Sequence, residues 1–173
     1  MKVDLLSLSD EARPFDFNIG PDEIDLDTEG IKIAGDVEMI GGVRKNAAKT
    51  DVRGSVKVPI EIECTRCLAP IRSELDIVFD IDFVGRELLP ESKETHLENS
   101  DLDTDLIEDD EIDLTEIARE QILLNLPETT LCREECKGIC PTCGKDLNEA
   151  DCQCGEDDID PRWAALKNLK ERS

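Results

Sequence analysis

The feature that most narrows what this chain can fold into is its eight cysteines, six of which fall within 23 residues: Cys132-x3-Cys136-x3-Cys140-Pro-Thr-Cys143-Gly, then Cys152-Gln-Cys154. Thiols packed so densely cannot be the interior of an ordinary core. The other two form a second pair spaced by two residues, Cys64-Thr-Arg-Cys67. A metal knuckle needs two thiolates projecting from one tight turn, with backbone N–H groups aimed at the sulfurs. Pro141 presets such a turn, and Gly144 can take the left-handed conformation after it. No run of about 18 apolar residues is present, and Met1-Lys2-Val3-Asp4 opens without a charged-then-apolar leader. The expectation is a cytoplasmic protein with no membrane association. Thiols stay reduced there, and clustered cysteines read as metal ligands rather than disulfides.

Calcium or magnesium would want oxygen ligands in a repeating pattern, which the acidic residues do not form. Iron–sulfur spacings of ferredoxin type are absent, and the tetrahedral preference for thiolate selects zinc. Two sites of four use the whole set: Cys64, Cys67, Cys132, Cys136, Cys140, Cys143, Cys152 and Cys154. Closing Cys140, Cys143, Cys152 and Cys154 locally costs little loop entropy and leaves Cys64 and Cys67 to meet Cys132 and Cys136. A zinc-ribbon pairing of Cys64/Cys67 with Cys140/Cys143 stays open.

Val56, Val58, Ile60, Ile62 and Cys64 alternate with Lys57, Pro59, Glu61 and Glu63, the pattern of a strand with one wet face. Leu75, Ile77, Phe79, Ile81 and Phe83 alternate with acids in the same way, only Val78 breaking the polar side. The two predict a hairpin with its tip at Thr65 to Pro70. Pro59, with no N–H to donate, predicts an edge or a bulge. Upstream, Ile31, Ile33, Val37 and Met39 predict another strand, which Gly41-Gly42 would end, and Phe15/Phe17 and Ile24/Leu26 alternate more briefly.

Between Glu87 and Asp113 stand twelve acidic residues and Lys93 alone, which predicts a mobile, solvated segment. Asp113-Leu114-Thr115-Glu116 reads as a capping box opening a helix with Leu114, Ile117, Ala118, Ile122 and Leu126 on one face, stopped by Pro127. Asp160-Pro161 opens a second, short helix with Trp163, Leu166 and Leu169. The expected fold class is α+β, an antiparallel β-meander or partly open barrel over 1–86 with a zinc knuckle at 64–67. The acidic segment follows over 87–113, a helix over 114–126, a zinc-binding module over 132–154 and a C-terminal helix or tail over 160–173.

Cys64-Thr-Arg-Cys67-Leu68, the acidic stretch, the helix ending in Leu-Pro, Cys132-x3-Cys136-Lys-Gly-Ile-Cys-Pro-Thr-Cys-Gly-Lys-Asp-Leu-Asn148, Cys152-x-Cys154 and Asp160-Pro161-Arg162-Trp163 together resemble the bacterial YceD/YlbN family. The resemblance covers essentially the whole chain, and the cysteine segment is its most specific part. It implies a role in the accumulation of large-subunit ribosomal RNA, hence in large ribosomal subunit assembly, and carries over no catalytic residue.

The residues themselves speak against enzymes. A thiol oxidoreductase using Cys64 and Cys67 would need a helix start to lower the nucleophile's pKa, and another strand follows instead. A zinc hydrolase needs an open coordination position and usually His or Glu ligands, yet the only histidine, His96, sits in the acidic run. With a net charge of −23 and 3% aromatic residues, the chain should have little direct affinity for free nucleic acid. The expected partner is a pre-large-subunit particle or a basic ribosomal protein, held by charge until handover. The basic end around Arg162, Lys167, Lys170 and Arg172 offers RNA at most a local foothold. The alternative is a redox-switched zinc chaperone, a holdase whose thiols eject metal on oxidation.

Overall fold

The computed structural model describes residues 1–47, 49–85, 104–107 and 110–154. The chain divides into two compact units, one of Met1–Glu63 with Pro70–Thr130, the other of Cys64–Ala69 with the chain from Leu131 onward. The turn at 64–69 thus groups with the later cysteines and not with the strands that flank it. The expected helix over 160–173, including Arg162, Lys167, Lys170 and Arg172, lies outside the described residues, as does the acidic stretch at 86–103.

The first unit contains strands β1 (Lys2–Asp4), β2 (Arg13–Ile19), β3 (Ile31–Ile33), β4 (Val37–Lys45), β5 (Thr50–Glu63), β6 (Pro70–Gly85), β7 (Thr104–Ile107) and β8 (Glu111–Asp113), then helix α1 (Leu114–Leu124). Its main sheet is open, with order β2-β4-β5-β6-β7 and β3 pairing β5 off that path. The hairpin read from the sequence is its centre: β5 and β6 pair from Thr50↔Phe83 to Glu63↔Pro70. Val52, Val56, Val58 and Ile60 are fully buried, and Ile77 and Phe79 face the same core. Burying each such side chain is worth about 1.5–3 kcal/mol. Val78, the one break in the polar alternation, lies 83% exposed on the wet face. On that face Arg53 lies directly opposite Asp80 and Glu61 opposite Arg72, with ion pairs of 2.9 and 3.4 Å. Solvent screens exposed pairs of this kind, so they favour the register more than they stabilise the sheet.

Several expectations are corrected. Gly41-Gly42 does not end a strand, because β4 runs on to Lys45. A Cβ on Gly41 would lie 2.2 Å from the Arg53 carbonyl oxygen and 2.6 Å from the Phe15 ring, so glycine marks a close approach inside the strand. Gly41→Ala is therefore expected to cost roughly 1–3 kcal/mol or more in unfolding free energy. Gly42→Ala, whose nearest neighbour would be 3.6 Å away, should cost far less. Urea titration of the two variants checks the contrast. Pro59 is at neither an edge nor a bulge, since β5 is central. It falls in the gap between the partners β4, which reaches Lys57, and β3, whose last residue Ile33 lies opposite Ile60. There the ladder on that flank is reduced to the Ala34 N–H donating to the Pro59 carbonyl at 2.8 Å.

The fold is also not a purely antiparallel meander, because β7 runs parallel to β6 with Asp82↔Thr104 and Gly85↔Ile107. β8 pairs β1 in a separate two-stranded ladder, Val3↔Ile112 at its middle. Two pieces of the 87–113 segment are therefore strands rather than solvated chain. Ile112 is buried and Ile107 packs on the core, two apolar anchors among outward carboxylates. Asp113 caps α1 by accepting the Thr115 N–H at 2.9 Å, and Leu114, Ile117, Ala118 and Ile122 are buried. The helix stops at Leu124 with Asn125 as C-cap, short of the 126 expected, and Leu126 still packs against the core.

Candidate metal centres

Both two-residue-spaced cysteine pairs are built on one backbone frame. Cys64 N–H donates to the Ala69 carbonyl and receives at its own carbonyl the Leu68 N–H, each at 2.9 Å. Cys140 N–H donates to the Lys145 carbonyl and its carbonyl receives the Gly144 N–H, each at 2.8 Å. The fifth residue of each frame is left-handed, with φ of 61° at Leu68 and 72° at Gly144. Gly144 takes the conformation its sequence context predicts, whereas Leu68 holds it against a steric cost of about 1–2 kcal/mol. Nothing in the letters Cys-Thr-Arg-Cys-Leu signals that strain.

The turns aim N–H groups at sulfur. Backbone donors, first the Cys67 N–H and then Arg66 and Cys132, draw the Cys64 thiol down to about 6 against burial. Donation from Cys143 and Thr142 does the same for Cys140, also to about 6. Cys154 moves the other way, pushed up to about 12 by its hydrogen bond to Cys143, with burial and Cys140 adding to it, whereas Cys136, against its burial, is held low by the Asn148 amide and the Gly138 N–H. Among clustered thiols the first to ionise raises the rest, unless a cation takes the place of the protons.

All eight cysteines are free thiols. Cys64, Cys67, Cys132 and Cys136 form one group and Cys140, Cys143, Cys152 and Cys154 the other, each with its sulfurs within 4.8 Å of one another. The sulfurs thus take the local grouping and not the ribbon one. Cys64 Sγ lies 3.8 Å from Cys136 Sγ and Cys67 Sγ lies 3.6 Å from Cys132 Sγ. A tetrahedron with metal–sulfur bonds of about 2.3 Å has an edge of ~3.8 Å. The spacing therefore fits a four-thiolate metal site and exceeds the S–S bond length of about 2.05 Å. Each group can hold a metal ion, and four sulfurs would close its coordination.

Groups other than the four sulfurs complete the first group. Cys132 N–H donates to Cys64 Sγ at 3.4 Å. The Arg66 guanidinium donates to the Cys136 carbonyl at 2.8 Å, and the Arg66 carbonyl accepts the Ile139 N–H at 3.0 Å. Gly138, with φ of 77°, passes so close that a Cβ would lie 2.9 Å from the Arg66 carbonyl oxygen. Asn148 Nδ2 donates to Cys136 Sγ at 3.4 Å. Neither Arg66 nor Asn148 carries a ligand signature in the sequence, where both stand only within the stretches that carry the family resemblance.

The model of the family described as Large ribosomal RNA subunit accumulation protein YceD matches residues 52–170, which takes in both cysteine groups. The chain belongs to the YceD family. An uncharacterized protein of Mycobacterium tuberculosis is 33% identical over 118 residues, 68% of this chain and 54% of that protein. The chain thus spans about half the length of its mycobacterial relatives. The uncharacterized YlbN of Bacillus subtilis is 30% identical over 140 residues, 80% of each chain. The chloroplastic Large ribosomal RNA subunit accumulation protein YCED homolog 1 of Arabidopsis thaliana is 37% identical over 62 residues, 36% of this chain and 19% of that protein. No solved structure gives a significant match. The YceD family is named for RNA accumulation, which is not in itself an enzymatic activity, and no described helix of this member is long and apolar enough to cross a membrane.

Proposed function

We propose that this chain is a non-enzymatic factor in accumulation of the large ribosomal RNA subunit, acting through a basic ribosomal protein or the pre-large-subunit particle, with two structural zinc ions. The observation that carries the reading is the family match across residues 52–170. Two closed sets of four sulfurs support zinc as scaffold, because a catalytic zinc keeps a coordination position open for water. When bound, zinc would supply crosslinks that fix the knuckles, and Cys64, Cys67, Cys132 and Cys136 would hold one ion while Cys140, Cys143, Cys152 and Cys154 hold the other.

Charge supports the basic partner. Arg44, Arg53, Arg72 and Arg119 each face a carboxylate within 3.5 Å, so these cations are already engaged and the surplus charge of the chain is negative. An RNA phosphate gains little from such a surface, whereas a Lys- and Arg-rich protein gains on-rate and orientation. Depletion of the protein in its host should lower mature large-subunit RNA relative to small-subunit RNA, measured by RNA blotting. An unchanged ratio overturns the assignment.

A further inference from the structure

The two sulfur groups are not separate. Cys136 belongs to the first and Cys140 to the second, and the four-residue step between them is held from both sides. From the first side, Arg66 donates to the Cys136 carbonyl and accepts the Ile139 N–H. From the second, Leu147 N–H donates to the Gly138 carbonyl at 2.9 Å, and Ile139 bridges Asp146. Asn148 stands in the loop between Cys143 and Cys152, both of the second group, yet its side chain reaches a sulfur of the first.

The orientation of that amide is fixed by what its neighbours can do. Lys137 N–H can only donate, and it donates to Asn148 Oδ1 at 2.8 Å. The Asp146 carboxylate accepts from Nδ2 at 2.7 Å and also from the Asn148 N–H at 2.8 Å. One Nδ2 proton therefore goes to Asp146, and the other points to Cys136 Sγ. A four-thiolate site around a divalent cation carries two surplus negative charges. Donors outside the ligand set disperse that charge, and losing one typically costs 10–100-fold in metal affinity.

We propose that Asn148 is a positioning residue that couples the two centres, so that closing the second loop around its metal completes the charge-dispersing shell of the first. The proposal rests on the reading of both sulfur groups as metal centres. Affinity for the first metal is then higher when the second is filled, and by linkage the second gains by the same factor from the first.

The test uses the full chain loaded with cadmium-113, whose resonance reports the sulfurs around each ion, with a graded chelator to measure each affinity. Asn148→Asp keeps the acceptor for Lys137 N–H and removes the donor to sulfur. It should shift the resonance of the Cys64/Cys67/Cys132/Cys136 centre and lower that centre's affinity 10–100-fold. Asn148→Gln, which keeps an amide donor, should restore part of the affinity. In the wild-type chain, Cys143→Ser should weaken the first centre at least tenfold, and in the Asn148→Asp background it should add little. A first-centre resonance and affinity unmoved by Asn148→Asp, or an equal effect of Cys143→Ser in both backgrounds, overturns the coupling. A chain that takes up no cadmium at all overturns the metal reading instead.

Discussion

Stripping both metals with a strong chelator is expected to unfold the cysteine unit while the sheet keeps its amide protection. The first unit has its own core, in which Val37, Met39, Val52, Val56 and Leu114 are wholly buried. The aliphatic core cluster draws no described residue from 64–69 or 131–154. What that second unit buries is largely sulfur, Cys64, Cys136 and Cys140. Its stability must then come from ligation, and structural zinc contributes on the order of 10–16 kcal/mol, comparable to the whole ~5–15 kcal/mol of an ordinary domain. Hydrogen exchange read residue by residue separates the outcomes. Loss of protection at 131–154 with protection kept across β5 and β6 is the expected pattern. Simultaneous collapse of both would mean that the units share their stability.

The second large effect is on association. If the chain works through a basic partner, its on-rate should fall by roughly 10–1000-fold from low to physiological salt, because a field of one sign raises encounter rates by that much. Screening sets in beyond a Debye length of about 8 Å at 0.15 M salt. Exchanging acids of the 87–113 stretch for Lys should slow association before it speeds dissociation. Naked large-subunit RNA fragments should bind poorly at every salt concentration. Sub-micromolar RNA binding that is lost when Arg162, Lys167, Lys170 and Arg172 are neutralised, and indifferent to the acidic stretch, would make the tail an RNA anchor and refute the protein-first order.

What could be read directly from the letters was what is local. Two-residue alternation in Val56–Ile62 and Leu75–Phe83 gave strand, face and hairpin partner together, because a short tip leaves antiparallel pairing as the ready solution. Spacing and capping placed α1, and the cysteine spacings gave the ligand candidates and their economical grouping. The parts that escaped depend on partners far along the chain. Thr104–Ile107 is too short and acidic to announce a strand, and its parallel pairing with β6 has no periodicity of its own. Val3 meets Ile112 across more than a hundred residues. Gly41 looked like a terminator because a glycine forced by a neighbouring carbonyl reads the same in sequence as one at a turn. Asn148 was visible only as part of a resemblance, since a donor to sulfur has no spacing rule.

The most direct test of the account is native mass spectrometry of the purified chain, followed by X-ray absorption at the zinc edge. The expected result is two zinc ions per chain, each with four sulfur neighbours at about 2.3 Å and no oxygen or nitrogen. One ion or none, or a shell containing water, would contradict the two closed centres on which the structural-zinc reading and the coupling both stand.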